Sequence, residues 1–473
     1  MSVQAEAEVC VVGGGPAGAT IARKLASLGH DVCVVERAPF PRPHVGESLP
    51  PTVLPLLEVI GAREAIEAAG FLRPPGSLVR WTATTERPPS RADLPGFQVD
   101  RGTFDRLLLD AARNAGVRVV QPALVTHRPR RDGHRWHVPL RCGGRAGAVR
   151  SDFLVDASGR SSILPAARAR CGAATLALYA YWRDVGLAGP ETRVEAGPGQ
   201  WYWGAPLPDG RVNATVFVDP DRCRGAGRAG LERLYRSLLA DSTLLRSCLR
   251  GALVGRVGGC DASAYLSAPV VDECSIKVGE ASCAIDPLSS QGVQHAMQSA
   301  LQGAAVVHTL RACPANAVAA LEFYRSRQAE TALRNRAWAA ECYAVQDLFP
   351  PHDFWRRRAE PVASAPAGGS RPNGASLSAG RRIALSLSAR IVDTPAVKGD
   401  LIVSVPALVH PALDRPVAYL AGAEVAPLLR DVPGGATANE AVARWSRRLA
   451  PEVGWRIMAW LWSRQIIVPA GGE

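Results

Sequence analysis

The run Glu8 to Val12 (EVCVV) leads directly into Gly13-Gly14-Gly15-Pro16-Ala17-Gly18, and no other junction constrains this chain so tightly. The β-branched run has the composition of a strand. Pro16 to Leu28 carries Ala, Ile and Leu at helical spacing before Gly29, and Asp31 to Glu36 (DVCVVE) is again strand-like. The order is that of a βαβ unit. Glycines 13, 15 and 18 fit GxGxxG, in which one glycine makes a tight turn, one lets backbone approach a pyrophosphate, and one packs helix against strand. Glu36, eighteen residues past Gly18, ends the second strand where an acid takes ribose hydroxyls. The chain therefore begins as a Rossmann-like, dinucleotide-binding α/β fold.

Gly225 to Gly230 (GAGRAG) also matches the glycine pattern, but the polar loop DPDRCR separates it from the strand Val212 to Val218, and no acid-terminated strand follows. It reads as a helix lead-in, so no second, nicotinamide-binding fold is expected. Further on, Phe104 to Ala115 reads as a helix, Val117 to Val120 as a strand, and Phe153 to Val155 as a strand into Asp156-Ala157-Ser158-Gly159-Arg160. The middle is strand-rich and aromatic, and small-residue helices return over Gly292 to Leu310 and Leu321 to Gln346. This order predicts a discontinuous cofactor domain over 1–175 and 275–358 and a β-rich substrate domain over 176–274. A Pro-, Gly- and Ser-rich linker at 359–382 would lead to a small C-terminal α+β domain at 383–473.

Composition narrows the partners. The 473 residues, 47% hydrophobic and 21% charged, suit an ordinary globular chain rather than a disordered one. No apolar run is long enough to span a membrane, and the acidic start lacks the pattern of a secretory signal, so a cytoplasmic, non-membrane protein is expected. The 11 cysteines form no CxxC pair, so reduced thiols are expected rather than a disulfide framework or a metal site. The net charge of +12 comes from dispersed arginines, with Lys24, Lys277 and Lys398 the only lysines, and no basic run interleaved with aromatics points to nucleic acid.

Five segments in fixed order carry a resemblance. They are the glycine turn with Glu36-Arg37, Val45-Gly46-Glu47-Ser48-Leu49-Pro50-Pro51, and Val99-Asp100-Arg101 to Phe104-Asp105. Asp156 to Arg160 follows, and then Gly279-Glu280 to Asp286-Pro287-Leu288-Ser289-Ser290-Gln291-Gly292-Val293. Over residues 7–358 the chain resembles the flavin-dependent monooxygenases and tryptophan-halogenase-like flavoproteins. The resemblance implies FAD, with O2 as cosubstrate and electrons from NAD(P)H directly or through a partner flavin reductase. It places Gly13, Gly15, Pro16, Ala17 and Gly18 at the pyrophosphate and Glu36 and Arg37 on the nucleotide side. Gly46, Glu47 and Ser48 are implied cofactor contacts, Arg101 lies near the ribityl and phosphate region, and Asp156 with Gly159 lets backbone approach. Glu280, Asp286 and Pro287 are implied along the ribityl chain and ring, and Gly292 and Val293 open a helix facing the pyrimidine carbonyls. One departure is visible, since the family's Gly-Asp is here Gly279-Glu280.

Flavin halogenases carry W-x-W-x-I-P between flavin and substrate, and the similar segment here is Trp201-Tyr202-Trp203-Gly204-Ala205-Pro206, which makes Trp201, Trp203 and Pro206 candidate pocket residues. Those enzymes also need a lysine in Gly-Phe-x-x-Lys-x-Gly, whereas Gly70-Phe71-Leu72-Arg73-Pro74-Pro75-Gly76 has proline there. Arg73 is no replacement, because a guanidinium stays protonated. Hydroxylation, in which reduced FAD and O2 give a hydroperoxide, asks less of the protein. The expected activity is thus monooxygenation of an aromatic substrate of the indole or tryptophan kind, as a small molecule or within a tryptophan-containing peptide or protein. A halogenase is the alternative, and an FAD-containing maturation or binding factor without turnover a second one. Glu47, His44 and His295 are candidate bases, none of them assigned. Glu341 to Arg358 and the segment after His410-Pro411-Ala412-Leu413 are similar to flavoproteins of tryptophylquinone cofactor maturation, and Val417 to Val468 resembles small winged-helix modules.

Overall fold

The computed structural model describes residues 3–83, 85–86, 95–361, 377–432 and 434–470, in two compact units: 1–308 with 324–362, and 309–323 with 363–473. In the first unit, strand β1 (Val3–Val12) pairs in parallel with β2 (Val32–Val35), and helix α1 (Pro16–Ser27) joins them. Pro16 occupies the first helical position, where a missing N–H leaves no bond unmade. Helix α2 (Arg101–Asn114) is capped by Asp100, whose carboxylate accepts from the Thr103 N–H at 2.8 Å. Then follow β3 (Arg118–Val120), β4 (Ala123–Val125), β5 (Arg135–Cys142) and β6 (Arg145–Asp156).

These strands lie in the order β3-β2-β1-β6-β5-β4, with Ser275–Lys277 added beside β6. The inner pairs are parallel and β5 is antiparallel to both its neighbours. Val9, Cys10 and Val11 are fully buried, as a central parallel strand covered on both faces requires. The register sets the end of β1 beside the end of β6, Val12 opposite Asp156, and so brings the glycine turn against Ala157.

A second sheet is built from β7 (Leu176–Arg183), β8 (Thr192–Ala196), β9 (Trp201–Pro206), β10 (Val212–Val218) and β11 (Ala252–Asp261). Its order is β11-β7-β10-β9-β8, continued by Ser77–Arg80 and Thr85–Glu86. Strand alternation divides it cleanly. Leu178, Ala180, Trp182, Tyr202, Ala214 and Val216 bury one face against Tyr235, Leu238 and Leu239 of α3 (Arg228–Ala240). The opposite face carries three rows across the strands: Tyr181-Asn213-Ala205, Tyr179-Thr215-Trp203 and Ala177-Phe217-Trp201. Helices α4 (Gly292–Ala312), α5 (Ala317–Ala344) and α6 (Asp353–Arg358) follow. Gly227 precedes α3 as a helix lead-in, as read for the second glycine match.

Segment 176–274 lies inside the first compact unit, and residues 309–323, expected in the cofactor domain, group with the second. Of the linker read at 359–382, residues 362–376 lie outside the described residues. The second unit is a small α+β assembly of β12 (Ile383–Leu385), the hairpin β13 (Arg390–Lys398) and β14 (Leu401–Val409), α7 (Val425–Arg430), α8 (Ala438–Trp445), α9 (Pro451–Ser463) and β15 (Ile467–Pro469). Strand β15 pairs back on β12. Leu428, Trp445, Met458 and Leu461 are central to its core. Among the described residues no helix is long and apolar enough to cross a membrane.

Candidate active site

Two of the motif glycines are sterically obligatory. Gly13 has φ +107°, and a Cβ there would overlap the Ala157 carbonyl oxygen; a Cβ on Gly18 would overlap the Gly13 carbonyl oxygen. A Cβ on Gly15, by contrast, would meet only a guanidinium nitrogen of Arg42, at 3.4 Å. The mouth of α1, with its free N–H groups and positive dipole end, is therefore open and lined by a cation. Glu36 is buried at the end of β2, where its carboxylate accepts from Gly14 N–H at 2.6 Å and Ala38 N–H at 2.8 Å. Each oxygen keeps a lone pair for a ribose hydroxyl. Arg37 points outward and is exposed.

The late block is folded onto this cradle. Gly279 has φ +60°, and a Cβ on it would lie 2.9 Å from the Ala17 Cβ. Glu280 accepts from Arg160 Nε at 3.2 Å and reaches within 4.0 Å of the Cβ position of Gly159, so its carboxylate lies beside that turn. Asp156 is fully buried, and its oxygens take Ser158 N–H, Ser158 Oγ–H, Ser162 Oγ–H and Leu164 N–H. It shapes the turn and has nothing left for a ligand. Asp286 accepts from Leu288 N–H at 2.9 Å, which caps the short turn Pro287–Ser289, and from the Tyr343 hydroxyl at 3.1 Å. Burial pushes the Asp286 carboxyl up, and these hydrogen bonds oppose the shift. Gly292 opens α4 in an exposed position, while Val293 turns inward. The glycine cradle with Glu36 and Arg42 fits the nucleotide half of FAD.

Arg101 and Glu47, read from the sequence as cofactor contacts, each have several protein partners. The Arg101 guanidinium is engaged by both Asp105 oxygens, at 3.0 and 3.1 Å, and by the Val45 carbonyl at 2.8 Å. It pins the loop 45–47 from below. Glu47 turns away from the glycine cradle onto the second sheet, where Oε1 accepts from the Tyr181 hydroxyl at 2.7 Å and Asn213 Nδ2 at 3.0 Å. Burial raises its carboxyl above the ordinary range, opposed by those hydrogen bonds. Ser48 accepts from Gln98 Nε2 at 3.3 Å. His44 is exposed on the same loop, with Nδ1 at 2.8 Å from the Val45 carbonyl. His295 lies in the first turns of α4, where burial lowers its imidazole to about 4.

The tryptophan motif is divided by its own alternation. Trp201 stacks on Phe217 at 3.7 Å between ring centroids and is enclosed by Trp81, Tyr343 and Trp355. Trp81 Nε1 donates to the Cys342 carbonyl at 2.7 Å and Trp355 Nε1 to the Gly197 carbonyl at 3.1 Å, which closes that end of the face. Trp203 stands one row nearer the Glu47 loop, and Pro206 ends the strand. Arg42, Tyr181, Asn213, Thr215 and Tyr343 went unread in the sequence. The polar alternation Tyr179-x-Tyr181 and Asn213-x-Thr215 within strands was the available signal for three of them.

Fold and site together define an FAD-dependent oxidoreductase-type flavoprotein, and residues 8–45 match the FAD dependent oxidoreductase family. The chain belongs to the tryptophan halogenase family, whose model matches residues 80–357. A tryptophan 2-halogenase of Chondromyces crocatus is 34% identical over 346 residues, 69% of this chain and 65% of that one, so this chain spans slightly less than two thirds of that relative. Among solved structures, the peptidyl tryptophan dihydroxylase QhpG, essential for tryptophylquinone cofactor biogenesis, is 28% identical with TM-score 0.72, covering 97% of this chain and 99% of that one. The flavin-dependent halogenase CmlS shares the fold over 100% of this chain and 98% of its own, with TM-score 0.80 and 23% identity. The resemblances to tryptophan-halogenase-like flavoproteins and to a flavoprotein of tryptophylquinone maturation are met by these matches.

Proposed function

We propose that this chain is a monooxygenase that hydroxylates the ring of an indole- or tryptophan-type substrate, free or within a peptide or protein. The observation that carries the reading is position 74. Pro74 is buried where a halogenase of the resembled kind holds its lysine, and Arg73 is turned aside, donating to the Pro95 carbonyl at 3.0 Å with its guanidinium 3.6 Å over the Phe97 ring. The other lysines do not compensate. Lys24 is on α1, Lys277 Nζ donates to the Pro269 carbonyl at 2.8 Å, and Lys398 pairs with Glu424 in the second unit. The likeness to a dihydroxylase over nearly the whole chain supports the same reading.

FAD, when bound, supplies the electron transfer and the activation of O2. Its electrons come from NAD(P)H, directly or through a flavin reductase, and the expected setting is cytoplasmic. The chain's own part is to hold the dinucleotide at Gly13 to Gly18, Glu36 and Arg42, and to offer a buried, aromatic-rich sheet face that excludes water and orients a ring. Halogenation is the second reading, favoured by the several curated relatives named as halogenases. Turnover of FAD-loaded protein with a reductant, isotopically labelled O2 and tryptophan-containing peptides separates the two. Product carrying labelled oxygen without added halide supports the proposal, and product formed only with halide overturns it.

A further inference from the structure

The inner face of the second sheet holds a hydrogen-bond network whose direction is fixed at one end by geometry. Both Glu47 oxygens face donors, whose hydrogen bonds favour the carboxylate against the upward push of burial, and a carboxylate can only accept. Glu47 Oε2 takes the Gly46 N–H at 2.9 Å, and Oε1 takes both the Tyr181 hydroxyl and the Asn213 amide. Tyr181 has a single proton, and it is committed to Glu47, so its oxygen presents only lone pairs to anything else. Asn213, with its amide nitrogen on Glu47, turns Oδ1 to Thr215, whose hydroxyl donates its single proton there at 3.0 Å. The Thr215 oxygen is likewise left as an acceptor.

Both acceptors lie on one face, in adjacent rows. Tyr181 stands opposite Asn213, and Thr215 stands between Tyr179 and Trp203. The far row is filled by the Trp201–Phe217 stack and its aromatic cover, and the near end is closed by the Glu47 loop that Arg101 pins. Between them runs the row Tyr179, Thr215 and Trp203, which a planar substrate ring would lie along with its edge toward the two oxygens. We infer that Tyr181 and Thr215, polarised by Glu47, form an acceptor pair that selects aromatic substrates bearing an N–H or O–H donor. The inference deepens the proposed aromatic-ring chemistry, on which it rests for the choice of ligand class. A ring presenting an acceptor or a methyl group at that edge leaves the pair desolvated and unmade, which is the costly case for a buried polar group. Glu47 acts through Tyr181 and Asn213 and is a positioning residue.

The test is equilibrium binding to the FAD-loaded protein, by calorimetry and without turnover, of indole and of 1-methylindole, which differ in the single donor. Wild type is expected to bind indole about tenfold tighter. Thr215→Val is expected to bring the two within about threefold while leaving 1-methylindole and FAD content unchanged. Glu47→Gln, whose amide can donate to Tyr181, should erode the preference in the same way. Equal affinity of both probes for wild type, failure of indole to bind, or an unchanged ratio in both variants overturns the inference. Because no product is measured, a chain that halogenates would still show the preference. A hydroxylase lacking it would oxygenate both probes.

Discussion

Single residues decide the chemistry at several points, and Arg42 is the plainest. Its guanidinium stands at the open mouth of α1 and is held there by Asp105 at 3.2 Å, facing the place where the glycine turn admits a pyrophosphate. Arg42→Ala is expected to weaken FAD binding about tenfold and to flatten its salt dependence, read by flavin fluorescence on titrating the apoprotein. His295 makes a different prediction. Its folded value of about 4 lies below the ordinary 6.5, so as pH falls below 6.5 the unfolded chain takes up a proton that the folded chain refuses. The stability involved is complete above pH 6.5 and is lost toward pH 4, by about 3 kcal/mol. Urea unfolding of wild type and His295→Gln at pH 7 and pH 4.5 should show a greater loss in wild type, because His44, likewise lowered to about 4, titrates in both; parallel curves would refute it. Glycines 13 and 18 were legible in the sequence because local backbone chemistry demands them, and Gly15 and Glu36 because they stand at the motif's fixed spacing. Arg42 was not, because nothing local in the loop 38–44 marks an arginine that reaches back to the turn.

At the scale of elements, period-two alternation does most of the sorting. In β9 it sends Tyr202 to the α3 side and Trp201 and Trp203 to the other, and register with β10 then fixes Trp201 on Phe217 and Trp203 beside Thr215. The W-x-W segment could be read as a substrate screen from spacing alone, but which tryptophan is sealed depends on the end of α5 and on α6, more than a hundred residues later. Trp201→Ala is expected to cost about 3–5 kcal/mol in urea unfolding, the range for emptying a buried aromatic site. Trp203→Ala should cost less and instead weaken indole binding. Equal losses for the two would contradict the division of the face. Strands and helices near the glycine turn matched their sequence readings to within a few residues. The protein partners of Arg101 and Glu47 did not follow from sequence, because the loop 45–47 is positioned by Arg101 of α2 and by the second sheet rather than by its own composition.

For the molecule as a whole, the family and the α/β architecture were legible because five motifs recur in order along one half-buried framework, each answering a local backbone requirement. The choice between oxygen and halogen transfer rests on far less, the exchange of one lysine for Pro74 in a chain with three lysines in all. The most direct measurement is anaerobic reduction of the FAD-loaded protein, followed by mixing with O2 and a tryptophan-containing peptide panel in the presence and absence of bromide, with products read by mass spectrometry. A gain of oxygen mass that is indifferent to bromide is the expected result. A gain of bromine mass that requires bromide would contradict the argument from position 74 and make the chain a halogenase.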